Sequence, residues 1–153
     1  MCFTLYAGTI KPLPRKEWKR EVPDISVESL TERDEAARQY FSLPEVQYIG
    51  STSGCGCDFP HVMFQNGEWP IFEEEKDPEW QASDRKNREG LVTLLQNTNE
   101  KTIELYGVLN GDFSAPQARE EISLQRLLDP GSYLKEQGFY TVRIEPTAHR
   151  PLL

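Results

Sequence analysis

The sequence predicts a single α+β domain of the mixed α/β kind, a mixed β-sheet of about five strands covered by two main helices. Three observations predict it. Short β-rich runs alternate with helical runs along the chain, which favours one sheet covered by helices over two segregated halves. The length of 153 residues fits one domain and buries about two-thirds of the unfolded surface, so neither a disulfide nor a metal is needed merely to fold. Three Trp, six Tyr and seven Phe supply large areas for a core, although hydrophobic residues make up only 37% of the chain.

The elements follow in order. Cys2 to Ala7 is a β-rich run that stops at Gly8, and suits a buried strand. Lys11 to Pro23 holds three prolines and many charges, and reads as a surface loop. Ile25 to Glu28 alternates apolar and polar residues as a brief second strand. Thr31 then offers a helix N-cap, with Asp34 at the third helical position to steady the first turn. Ala36, Ala37, Tyr40 and Phe41 share one face of that helix, and Pro44 ends it. Val46 to Ile49 is the next strand, and it feeds a loop of small residues, Gly50 to Asp58. Val62 to Gln65 reads as a further short strand, and Asn66 to Lys76 as irregular.

Asp77-Pro78 opens the main helix, an N-cap followed by proline at the first helical position. Trp80, Asn87, Leu91, Leu94 and Leu95 keep helical spacing to about Asn97, while Gly90 weakens the middle by about 1 kcal/mol relative to alanine. Thr102 to Leu109 is a strand ending in the turn dipeptide Asn110-Gly111. Ile122 to Leu128 is a short helix or strand stopped by Asp129-Pro130-Gly131. Tyr140, Val142 and Ile144 alternate with Thr141, Arg143 and Glu145 in a last strand, and residues 146–153 read as a loose tail.

The formal charge is −8, with 25 acidic against 17 basic residues. Repulsion from phosphate argues against a nucleic-acid partner or an anionic membrane surface. The local exception is Arg15, Lys16, Lys19 and Arg20 around Trp18, read as a solvated loop with Trp18 tucked inward. No apolar run approaches the roughly 20 residues of a membrane span, and no secretory leader pattern opens the chain. Three cysteines cannot form a complete disulfide framework, so reduced thiols and a cytoplasmic setting are expected. A protein partner or a homo-oligomer stays open.

The concentrated chemistry is Gly54-Cys55-Gly56-Cys57, with His61 four residues on. The intervening glycine lets the chain turn and bring the two sulfurs together. Cys55, Cys57 and His61 are ligands of the kind zinc takes, and Cys2 is the candidate for a fourth. Asp58 and a second thiolate would raise the thiol pKa values, so cysteines without a cation are expected to stay protonated and inert. The spacing departs from the two-to-four-residue gap of structural zinc sites, and a second cysteine pair is missing. Packing of the cysteines as small apolar groups is the plain alternative. The leading expectation is therefore a small cytosolic protein of transition-metal type, zinc first. A thiol- or zinc-dependent hydrolase or redox enzyme using the same loop, and an interaction module without metal, are the alternatives.

The Met1-Cys2 start resembles the N-terminal-nucleophile hydrolases, among them the class II glutamine amidotransferases. That resemblance implies Cys2 as nucleophile and a terminal amine as base. The glycine that usually follows is replaced here by Phe3. His149 sits in the Pro-flanked tail and reads as solvated. Glu73, Glu74, Glu75 and Asp77 lack the alternation of a calcium loop and read as a solvated face. Phe59, Phe64, Trp69, Phe72 and Trp80 read as anchors holding an irregular segment on the sheet, or as the lining of a ligand pocket.

Overall fold

The computed structural model describes residues 2–62 and 77–145. It shows a mixed six-stranded open sheet in the order β2-β3-β1-β5-β8-β6, one strand more than the sequence suggests. The strands are β1 (Phe3–Thr9), β2 (Ser26–Ser29), β3 (Glu45–Gly50), β5 (Thr102–Leu109), β6 (Ala118–Ser123) and β8 (Gly138–Arg143). All neighbours are antiparallel except β6 and β8, which run parallel. A separate parallel pair joins β4 (His61–Val62) to β7 (Leu134–Lys135). The expectations for residues 63–65, Asn66 to Lys76 and the tail 146–153 lie outside the described residues, as do those for Phe64, Trp69, Phe72, Glu73, Glu74, Glu75 and His149.

β1 is the central strand. It pairs on one side with β3, Leu5 opposite Ile49, and on the other with β5, Phe3 opposite Leu109. Successive residues point to opposite faces. Phe3, Leu5 and Ala7 join Ile103, Leu105, Tyr140 and Val142 in the larger core, where Leu91, Val92 and Leu95 of the helix α1 (Pro78–Gln96) close over them. Tyr6 joins Tyr106, Val108 and Phe139 on the opposite face, covered by Ala37, Tyr40, Phe41 and Phe113. Two buried faces explain why β1 and β5 read as nearly continuous apolar runs rather than alternating ones.

Both helix starts form as their sequences imply. The Asp77 carboxylate accepts from the Glu79 N–H at 2.9 Å, with Pro78 at the first position. The Asp34 carboxylate accepts from the Thr31 N–H and hydroxyl, and also from the Tyr6 hydroxyl at 2.7 Å. This first helix, Glu32–Tyr40, is a 3-10 helix, a tighter winding that apolar spacing alone does not reveal. The chain then returns to the sheet through Ser42 and Leu43, whose N–H groups both donate to the buried Glu104 carboxylate at 3.0 and 2.9 Å. Asn110 and Gly111 take positive φ values of 54° and 68° in the turn after β5, as that dipeptide favours.

Ile122 to Leu128 divides between the end of β6 and a second 3-10 helix, Leu124–Leu128. Arg88 ties this corner to α1. Its guanidinium is 3% exposed, pairs with Asp84 at 2.9 Å, and donates to the carbonyls of Leu127 and Asp129 at 3.1 and 2.6 Å. Removing one member of a buried, fully bonded ion pair strands the other. Arg88→Ala is therefore expected to lower stability by about 3 kcal/mol, read as a reduced urea midpoint. An unchanged midpoint would show that Arg88 does not carry the corner.

Candidate functional site

The cysteine loop leaves β3 at Gly50 and folds back on itself. The Ser51 N–H donates to the Cys55 carbonyl at 2.7 Å, and the Gly54 N–H to the Ser51 carbonyl at 2.9 Å. The Ser51 hydroxyl also donates to the Cys55 carbonyl. Gly54 sits at φ +91°, a conformation costly for any other residue.

Three distant elements hold this loop. From α1, the buried Asn87 accepts the Thr52 N–H at 2.9 Å and donates to its hydroxyl at 3.1 Å. From the β1–β2 connection, the Trp18 indole N–H donates to the Thr52 carbonyl at 3.0 Å. The Trp18 ring also covers Gly54, where a Cβ would lie 3.1 Å from it. The inward packing expected for Trp18 is thus directed at the cysteine loop. From β1, the backbone of Phe3 meets Gly56, where a Cβ would stand 2.4 Å from the Phe3 carbonyl oxygen. Any side chain at residue 56 would push the loop off the strand.

This packing brings the backbone of Cys57 onto the Cys55 sulfur. The Cys57 N–H donates to the Cys55 sulfur at 3.5 Å, and the Ser53 hydroxyl lies 3.5 Å from the same sulfur. Both cysteines are partly exposed. Burial opposes ionisation of Cys55, but the bonds from Ser53, from the Cys57 N–H and from the Cys57 thiol outweigh it and hold its pKa below the ordinary 9.0, against Asp58. Burial pushes Cys57 up to about 11, opposed by the Phe3 N–H and reinforced by Cys55 and Cys2.

The upward direction expected for both thiols from Asp58 and a second thiolate is met at Cys57 and reversed at Cys55. The reason is local. Asp58 is exposed, so water screens its charge, whereas the hydrogen bonds to Cys55 act at contact.

His61 lies beside the loop with its ring stacked flat on Phe3, centroids 4.3 Å apart and planes 3° apart. Its Nδ1 lies 2.6 Å from the Phe59 carbonyl oxygen. Cys2 is exposed and fixed through its backbone. Its N–H donates to the Asn110 side-chain oxygen at 3.1 Å, and its carbonyl accepts from the Asn110 N–H at 2.8 Å. The structure thus places Cys2 just before β1 and sets the loop glycine Gly56 and the His61 ring against Phe3, with the Cys57 N–H on the Cys55 sulfur. Among the described residues, no group of three or more His, Cys, Asp or Glu is arranged to hold a metal ion. Phe59 is buried in the core, as an anchor should be, and Trp80 is half-buried on α1. Asp77 serves as the α1 cap.

The sequence reading did not place Asn87, Ser53 or Phe3 in the site. The one signal available was Asn87 itself, an amide on an otherwise apolar helix face, which must find a partner once buried. Among the described residues, no helix is long and apolar enough to cross a membrane. No family model matches the chain, and no curated protein or solved structure shows significant similarity to it.

Burial first, against the Phe59 bond and Asp58, holds His61 below its ordinary pKa of 6.5. A folded-state pKa below the unfolded one makes neutral His61 a stabilising group above the unfolded value, and that contribution is lost as pH falls. The stability difference between the native chain and His61→Phe should therefore shift against the native chain as pH drops below 6.5. Urea titrations of both across that range check it, and a pH-independent difference would contradict it.

Proposed function

We propose that the Cys55–Cys57 pair is a dithiol for thiol–disulfide exchange, with Cys55 as the attacking thiolate and Cys57 as the resolving thiol. The observation that supports this is the asymmetry of two neighbouring thiols: the Ser53 hydroxyl and the Cys57 N–H meet the Cys55 sulfur and favour its thiolate, while burial first holds Cys57 protonated. Only the thiolate is a nucleophile. The Cys55 thiolate attacks one sulfur of a substrate disulfide, forming a mixed disulfide and releasing the other sulfur as a thiolate. Cys57 then loses its proton to solvent and attacks the Cys55 sulfur, releasing the second substrate thiolate. The balance is a reduced substrate dithiol and an oxidised Cys55–Cys57 pair.

Exposure to hydroxyethyl disulfide tests this. In a Cys2→Ser background, which removes the exposed third thiol, the chain should close its Cys55–Cys57 disulfide with loss of two hydrogens and no adduct. Cys57→Ser should retain a mixed disulfide on Cys55, and Cys55→Ser should acquire an adduct at Cys57 far more slowly. Equal trapping in both variants would sink the assignment of roles.

A second reading, binding of a soft cation such as zinc through Cys55, Cys57, His61 and Cys2, is favoured by the Phe59 contact of His61. An Nδ1–H donating to a carbonyl leaves Nε2 with the lone pair, which is how metal-bound histidines are commonly held. It requires the cysteine side chains and His61 to converge further on binding. Protein purified without chelator would then carry near-stoichiometric zinc, and Cys57→Ser would lose it. Zinc-free protein that also fails to take up added zinc would exclude this reading.

A further inference from the structure

We propose that Asn87 and Trp18 are positioning residues of the exchange site: by fixing Thr52 from two distant elements, they hold the Ser53 hydroxyl on the Cys55 sulfur. This rests on the dithiol reading above. Asn87 is fully buried on α1, and its amide is engaged in three directions. Oδ1 accepts the Thr52 N–H at 2.9 Å, while Nδ2 donates to the Thr52 hydroxyl at 3.1 Å and to the Ser83 carbonyl at 2.9 Å. The Ser83 bond, one turn back on the same helix, sets the rotation of the amide that meets the loop. Leu91, Val92 and Leu95 are also buried on α1, and an aliphatic residue at position 87 would serve that packing as well. It is the loop that uses the amide.

The Thr52 N–H belongs to the peptide plane before Thr52, and the Thr52 carbonyl to the plane after it. Asn87 pins the first plane, and the Trp18 indole N–H pins the second at 3.0 Å. With both planes held, the two backbone dihedrals between them are held, and so is the Cα of Ser53.

The Ser53 side chain is steadied from its other side. Its hydroxyl lies 3.0 Å from the buried Ser51 hydroxyl, and its N–H donates to the Ser51 Oγ at 3.4 Å. The same Ser53 hydroxyl lies 3.5 Å from the Cys55 sulfur. A hydrogen bond weakens steeply with distance and misalignment, so a small displacement of Ser53 withdraws it from the sulfur. Asn87, 35 positions from Thr52 in the sequence, thereby sets how well a Cys55 thiolate is received.

A mutant cycle in a Cys2→Ser background tests this, read by ultraviolet absorbance of the thiolate across a pH titration. Asn87→Ala should move the Cys55 wave upward and cut the thiolate severalfold at neutral pH. Leu95→Ala, a core truncation on the same helix, should leave the wave in place, which separates positioning from lost stability. In a Ser53→Ala chain, adding Asn87→Ala should move the wave little further, because the two act as one unit. Where Asn87→Ala does not fold, Trp18→Phe stands in for it. That variant keeps a ring over Gly54, loses the indole donor, and should shift the same wave upward. An unmoved wave in the variant that folds, or an equal shift with and without Ser53, would overturn the positioning role and leave the dithiol reading standing. A parent chain with no wave below 9.0 would remove the dithiol reading, and this inference with it.

Discussion

The contact between Gly56 and the Phe3 carbonyl fixes where the cysteine loop sits on the sheet. There is no room for a Cβ at residue 56, so the loop rests directly on the backbone of the central strand. That approach leaves the Phe3 ring to stack against His61 on the flank of the loop. β1 can serve as a platform because it is itself over-determined, paired on both edges and buried on both faces.

The separation of the two thiols follows from which atoms point at each sulfur. Cys55 receives the N–H of Cys57, two residues on, and faces the Ser53 hydroxyl, two residues back, an arrangement the tight Ser51–Cys55 turn creates. No positive side chain is needed, because hydrogen bonds to the charged form favour it at short range while an exposed carboxylate is screened. Asn87 and Trp18 keep that turn from unfolding outward, and they bring α1 and the β1–β2 connection into the same structure. A thiol pair assembled by long-range packing exists only in the folded chain.

Much of the fold is legible in the sequence where local chemistry and global packing agree. Thr102 to Leu109 is a strand with the predicted ends, Asp77-Pro78 opens α1, and Thr31 with Asp34 opens the first helix. β6 was not legible because it is an edge strand. Its Ala-Arg-Glu-Glu-Ile-Ser sequence is half exposed and lacks apolar alternation, and it is held mainly by its pairing to β8. β7 has only two residues and exists through its partner β4. β1 runs past Gly8 to Thr9 because pairing to β3 continues there, regardless of strand propensity. At the site, the residue types and the glycine-permitted turn could be read directly, but the approach of Gly56 to Phe3 could not. Nor could the direction of each N–H and hydroxyl, which decides which sulfur is met by hydrogen-bond donors.

The account turns on two neighbouring thiols that ionise apart, and ultraviolet absorbance of the thiolate across a pH titration measures this directly. In a Cys2→Ser background, two waves are predicted, the first below the ordinary thiol value of 9.0 and the second at about 11. The first should vanish when Cys55→Ser is added. A single wave at 9.0 containing both thiols would contradict the account, because the loop would then pack its cysteines without distinguishing them.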